Sequence, residues 1–472
     1  MRTFWQYFFG VLFLGVFIIF YFLKTDSGHQ NLGYLIEDYL SAQTYNKIEV
    51  ISLNLEKYPH IEIELQVNNR ANITLKGEFN QYNIEMKYHL KGDSFHFNEF
   101  YLNDTIDVNG EVIGSFSSLL IKGEGRVFDG DIEYSFVNTP YEIKDMSVQM
   151  KKVNSQKIFT FFKERSLLSG SVDIYANFDY FSKYLKEGQL KIYMQDAFIP
   201  NLIKDTPLIL NSTIDFKGVE YRYVADMSSD IGEVILKDGY YHDGEKIVKV
   251  DYSVHLKNLA YFEKILKHNY QGALDLNGTL VYNTDNGSIE IDGYTHQFEG
   301  ELSYLYKKEH IDVTLKEVSL ERLLKQFSYP ILFLSKIDGK IHFDIKEKSI
   351  IVNTELRDTR FVSSELTQML YDKAGIDMLA EVYDKSFFSA GYYNSTFSSS
   401  LKIDNGKSHV YLTDTTLNLI DDRIDSNFEI KMQGQEIHGE VHGILKEPKI
   451  WIDKKKIMEY QMNKHLGWLV GY

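Results

Sequence analysis

The sequence predicts a mainly β protein: one N-terminal membrane helix, then a long run of antiparallel strands with a few short amphipathic helices between them. Three observations carry this expectation. Apolar and polar residues alternate along most of the chain. In VKVDYSVHLKNL, Val248, Val250, Tyr252, Val254 and Leu256 share one face, and Lys249, Asp251, Ser253, His255 and Lys257 share the other. A period of two marks a strand with one dry side. Aromatics make up 14% of the 472 residues, a composition suited to half-buried β surfaces. Finally, residues 4–23, FWQYFFGVLFLGVFIIFYFL, hold one polar amide and no charge.

That apolar run comes first in the chain. Twenty helical residues reach about 30 Å, the thickness of a bilayer core. Trp5, Tyr7 and Tyr21 lie near its ends, where amphipathic rings prefer the interface. A signal peptide has a shorter apolar stretch of about 7–15 residues and a small-residue cleavage site. The run therefore reads as an uncleaved anchor, with the body exported to the far side. NLGYLIEDYLSA follows, with Leu32, Leu35, Ile36, Tyr39 and Leu40 at helical spacing. Strands then begin. Ile61, Ile63, Leu65 and Val67 alternate with Glu62, Glu64 and Gln66, and Ile73 and Leu75 alternate with Thr74 and Lys76. Ile84, Met86, Tyr88 and Leu90 alternate with Glu85, Lys87 and His89. Asp129-Gly130, Asp238-Gly239, Asp243-Gly244 and Asn405-Gly406 supply hairpin turns.

A repeat is also visible. MSVQMKKV (146–153), YSVHLKNL (252–259) and IDVTLKEV (311–318) share a frame, and each runs into a short amphipathic segment. These segments are NSQKIFTFFKER, AYFEKILKHN and SLERLLKQFS, each followed by a strand holding a glycine. ELTQMLYDKAGIDMLAEVY forms a longer helical region with Leu366, Met369, Leu370, Ile376, Leu379 and Val382 apolar. At the end, Met458, Met462, Leu466 and Leu469 fall on one helical stripe behind three lysines, which suits an interfacial helix or a packed terminal one. The expected organisation is an anchor (1–25), a helix plus sheet (26–145), the strand-helix-strand repeats (146–360), a C-terminal β region (361–453) and a terminal amphipathic helix (454–472).

Several functions are excluded or disfavoured. A net charge of −16 opposes a phosphate-binding surface, so nucleic acid is not an expected partner. With no cysteine there is no disulfide, thiol nucleophile or Cys-ligated metal. KGEGRVFDG has a lone G-x-G, and no G-x-S-x-G elbow occurs. His438 and His442 are four apart in a strand-like stretch, which separates them by about 13 Å and cannot clamp one metal. DLNGT (275–279) fits a bacterial glycosylation sequon, placed mid-strand. The scattered carboxylates read as polar strand faces. The chain is expected to be no enzyme, with no cofactor and no metal.

What lies against the dry faces is open on periodicity. A second sheet would give packed sandwiches, which the alternation alone favours. Otherwise the sheet curls into a trough that holds something apolar. The run from Ile403 to Asp453 bears on the choice. It contains Asn405-Gly406 opening a sheet segment and Gly443-Ile444-Leu445-Lys446-Glu447-Pro448-Lys449 closing it, after the Gly-Ile-Asp turn of KAGIDMLAE. Together with a membrane span, a short helix and strands around LNLEKYPHIEIEL, this resembles the AsmA-like family. Asp421-Asp422-Arg423 departs from it, since a glycine usually precedes the next strand there. The resemblance implies an elongated, curled antiparallel sheet forming an open groove, on an inner-membrane-anchored periplasmic protein of a two-membrane bacterium. It further implies bridge-like transfer of phospholipid toward the outer membrane, with a periplasmic or outer-membrane protein at the far end. Ile61, Ile63, Leu65, Ile73, Leu75, Ile84, Met86, Val248, Val250, Tyr252, Val254 and Leu256 are the groove-lining candidates. The alternative is a structural or assembly factor for outer-membrane biogenesis that carries no lipid.

Overall fold

The computed structural model describes residues 25–452, except 45, 56, 81, 98, 99, 116, 167, 183, 200–205, 267–269, 419, 445 and 446, together with Phe22, Met458 and Met462. The apolar span 4–23 lies, Phe22 apart, outside the described residues. So do Leu466 and Leu469 of the expected terminal helix. Among the described residues no helix is long and apolar enough to cross a membrane.

Strands dominate, and twenty-six of them belong to one antiparallel sheet. Among the described residues no pairing joins the first strand, Ile48–Asn54, to the last, Glu447–Ile452, so the sheet is not closed. The only other sheet among them is the two-stranded hairpin of Phe95–Phe97 and Phe100–Leu102. The sandwich that alternation alone favours calls for separate sheets, and among the described residues the strands outside that hairpin join one. Alternation records a dry side, but it does not say whether a second sheet supplies it.

The chain divides into two compact units, residues 1–230 with 237–245 and residues 231–236 with 246–472. In the first unit, helix Asp26–Thr44 lays Leu40 on a core of Ile48, Leu65, Val67 and Ala71. The Glu37 carboxylate accepts the Val50 amide at 2.6 Å and the Ser41 hydroxyl accepts that of Ile48 at 3.0 Å, tying the helix to the first strand. A second core gathers Phe128, Val153, Val172, Met194 and Ala197 under Ile158 and Phe161 of helix Ser155–Phe161.

The second unit repeats that construction. Phe298, Leu315, Val318 and Ile337 form its core under Leu320 and Leu323 of helix Leu320–Gln326. In both units a bulge precedes the helix, at Lys152 (φ 53°) and Glu317 (φ 52°). The bulged amide is accepted by a carboxylate on the next strand, Asp173 at 2.6 Å or Asp338 at 3.0 Å. The next residue, Val153 or Val318, is fully buried. Asn154 or Ser319 then caps the helix through its side chain and donates its own amide to the carbonyl of Phe128 (2.7 Å) or Phe298 (2.8 Å). Lys157 pairs with Asp129 and Arg322 with Glu299, closing each module. Gly130 and Gly300 are required, because a Cβ at either would strike the backbone of the facing bulge.

The expected third copy differs. Asn258 caps a 3₁₀ turn at Leu259–Phe262 that runs into Glu263–Leu266, but the register from Ile247 to Leu256 has no bulge. The long helical region is also broken. Helix Glu365–Ala374 opens on a Ser364–Thr367 capping box and ends at Gly375 in the left-handed conformation (φ 67°). Ile376, Met378 and Tyr383 then turn into a core with Ile403 and Met432, while Leu379 and Val382 face out. Side chains of Leu366 and Met369 are outside the description. At the departure noted above, Asp422 adopts φ 51°, taking the conformation a glycine would supply.

These cores set a first expectation. Ile403 is fully buried, so Ile403→Ala should cost about 2–5 kcal/mol in chemical unfolding. Val224, which is 50% exposed, should lose no more than about 0.5 kcal/mol on the same truncation. Equal losses would contradict the assigned core.

Candidate functional site: a matching apolar row in each unit

Residues directly opposite in an antiparallel pair project to the same side. In the first unit Ile63 faces Leu75, which faces Tyr88, and the row continues through Gly110, Gly123 and Tyr134. It runs on through Val148, Ala176, Leu190 and Ile214. In the second unit the row runs Tyr252, Gly278, Gly293, Tyr304, and then Val313, Ile341, Val352 and Ala390. Neither row holds a charged residue.

The sequence candidates lie on the row face of their own unit. Ile61, Ile63, Leu65, Ile73, Leu75, Ile84 and Met86 belong to the first unit, and Val248, Val250, Tyr252, Val254 and Leu256 to the second. Within the first, Ile63 pairs with Leu75 and Leu65 with Ile73. Most are half-buried, while Glu62, Lys76, Lys87, Lys249, Asp251 and His255 on the reverse face are exposed. Three differ. Leu65, Met86 and Val250 are buried, so they do not line an accessible surface as expected; Leu65 is covered in the core that Leu40 packs on.

The middle of each row holds a feature that periodicity missed. Tyr88 and Tyr134 reach toward each other across Gly110 and Gly123, and their hydroxyls hydrogen-bond. Tyr252 and Tyr304 do the same across Gly278 and Gly293. A Cβ at Gly293 would lie 2.6 Å from both tyrosine oxygens, so only glycine admits the rings. The Tyr252 hydroxyl donates to the Asp292 carbonyl at 2.9 Å, and that of Tyr88 to the Lys122 carbonyl at 3.4 Å. Burial first, and the hydrogen bond to its partner second, push the Tyr88 and Tyr252 phenols well above their ordinary value. The legible signal was four mid-strand glycines, each of which weakens a strand unless a neighbour covers it.

The second unit also holds an apolar chamber of about 270 Å³. Leu370, Ile403, Val410, Phe428, Ile430 and Ile437 contribute to its wall, and among the described residues its only polar side chains are Ser364 and Thr367 of the helix cap. An apolar void of about 150 Å³ is known to admit benzene, so this one has room for part of an alkyl chain.

On the polar face, histidines sit beside carboxylates. His342 is 2.7 Å from Asp312 and His89 is 2.9 Å from Asp107, and His255 pairs with Asp275. His438 and His442 do lie in one strand, Gln435–Ile444, each with its own acidic partners. Glu429, Glu436 and His438 bring potential ligand atoms within 4.8 Å, a grouping that sequence spacing did not suggest. It repeats the His–carboxylate pairing found elsewhere on this face.

The chain matches no family model, no curated protein and no solved structure. The class is accordingly defined by fold and surface: a mainly β chain built on one unclosed antiparallel sheet, with a charge-free apolar row in each unit.

Electrostatics give the second prediction. Hydrogen bonds that the His442 ring donates to the Glu440 carboxylate first, and to that of Asp425 second, raise its pKa above the ordinary value. The stabilisation is therefore complete below the unfolded value of about 6.5 and is lost as pH rises through the higher folded one. NMR titration should place the His442 midpoint above that value, and Glu440→Gln should lower it. A midpoint unmoved by Glu440→Gln would contradict the pairing.

Proposed function

We propose that the chain is a carrier of acyl lipids, anchored in an inner membrane by residues 4–23. Phospholipid tails lie along the apolar face of an elongated, curled sheet and are passed toward an outer membrane. The observation that supports this most is the row itself, mostly half-buried and without charge across strand after strand in each unit. A two-tailed lipid leaving a bilayer loses about 0.8 kcal/mol for every CH₂ exposed to water, so only an apolar surface along the route lets it move. The all but apolar chamber of the second unit, the anchor-like run and the resemblance to AsmA-like proteins support the same reading. A partner at the far end of the route would complete it.

Phospholipid should therefore be found by mass spectrometry in extracts of the purified chain, which should also speed exchange of fluorescent phospholipid between vesicles. Val254 is half-buried on the apolar face, so Val254→Asp puts a carboxylate there that stays hydrated. The variant should fold and lose more than about tenfold of the exchange rate. A chain that carries no lipid and exchanges none would instead be the structural or assembly factor. Unfolding of Val254→Asp would mark the position as packed core.

A further inference from the structure

We infer that each unit holds its own acyl-binding station, built over its tyrosine–glycine–glycine–tyrosine clasp, so that one chain takes up lipid tails at two matching places. The inference rests on the lipid-carrier reading and deepens it.

The match goes beyond the four clasp residues. Ile84, Met86, Tyr88 and Leu90 correspond in order to Val248, Val250, Tyr252 and Val254. Val108 and Val112 flank Gly110 as Leu276 and Leu280 flank Gly278. Ile132 and Phe136 flank Tyr134 as Leu302 and Tyr306 flank Tyr304. The clasp therefore lies between apolar rows in both units, and the following strand leads in both to a bulge and a fully buried valine. That packed module bounds the floor at one rim.

The hydrogen bonds indicate what such a floor can hold. Because the Tyr252 proton goes to the Asp292 carbonyl, the clasp proton must come from Tyr304. The same logic gives Tyr134 as donor to Tyr88, whose proton goes to the Lys122 carbonyl. Both protons are used internally, so neither clasp offers a donor to a phosphate or ester. What remains for a ligand is ring faces and aliphatic side chains, a surface that suits an alkyl tail and leaves the headgroup toward water. Two glycines with no side chain of their own, covered by two flat rings, make a floor without knobs.

The test uses the full chain and vesicles of phosphatidylethanolamine carrying a diazirine in one acyl chain, followed by illumination and peptide mapping. Label is expected within both 84–136 and 248–306. Leu90→Asp should reduce label in the first stretch at least about tenfold and leave the second unchanged, and Val254→Asp should do the reverse. If either aspartate variant fails to fold by circular dichroism, Leu90→Trp or Val254→Trp takes its place, filling the floor without adding charge. Label confined to one stretch, or lost from both after either single substitution, overturns the two-station inference alone. Absence of label from the whole chain overturns the lipid-carrier reading beneath it.

Discussion

The structure depends on antiparallel register. Directly opposed residues point the same way, so alternation in single strands becomes apolar rows crossing many strands only if every pairing is in phase. A slip of one residue would turn a whole strand's apolar set toward water. The bulged modules hold that phase. At Lys152 and Glu317 the chain spends a residue in the left-handed conformation, anchors the freed amide on Asp173 or Asp338, and buries Val153 or Val318 completely. The sheet is pinned at those points, and the rows between them need no cover of their own.

Stability and surface are thereby separated. The cores under the short helices and the core around Ile403 hold fully buried side chains, whereas most residues of the clasp rows stay half-buried. The polar face contributes little to holding the fold, since exposed ion pairs are worth about 0–1 kcal/mol each. Its cross-strand pairs, such as Lys122 with Glu111 and His442 with Asp425, match charges between neighbouring strands. Such matching favours the correct register over a slipped one.

Much of the fold was legible because a strand with one dry side writes its period directly into the sequence. Val248–Lys257 alternates, and it forms the strand Ile247–Leu256. Short helices at 155–161 and 320–326 were legible as amphipathic segments behind the repeated strand frame. That the described strands outside one hairpin join a single sheet was not, because period two has the same form in one sheet as in two. The break at Gly375 was hidden by apolar residues that continue on both sides of it. The clasps were hidden for a different reason. Tyr88 and Tyr134 meet through four strands of register, and nothing local to either tyrosine announces the two glycines between them. Burial of Leu65, Met86 and Val250 was equally illegible, since period two assigns a face and not a cover.

The central claim is that the apolar face meets lipid instead of protein. The chain has no cysteine, so single cysteines introduced one at a time from 249 to 256 can each carry a nitroxide without background. Paramagnetic resonance, recorded with and without phospholipid vesicles, then reads the surroundings of each position. The account predicts that vesicles shield 252 and 254 from a water-soluble relaxer and leave 249, 251 and 255 unchanged, a period-two pattern that appears only with lipid. The same pattern in the absence of lipid, or no difference between the two faces when lipid is present, would contradict it.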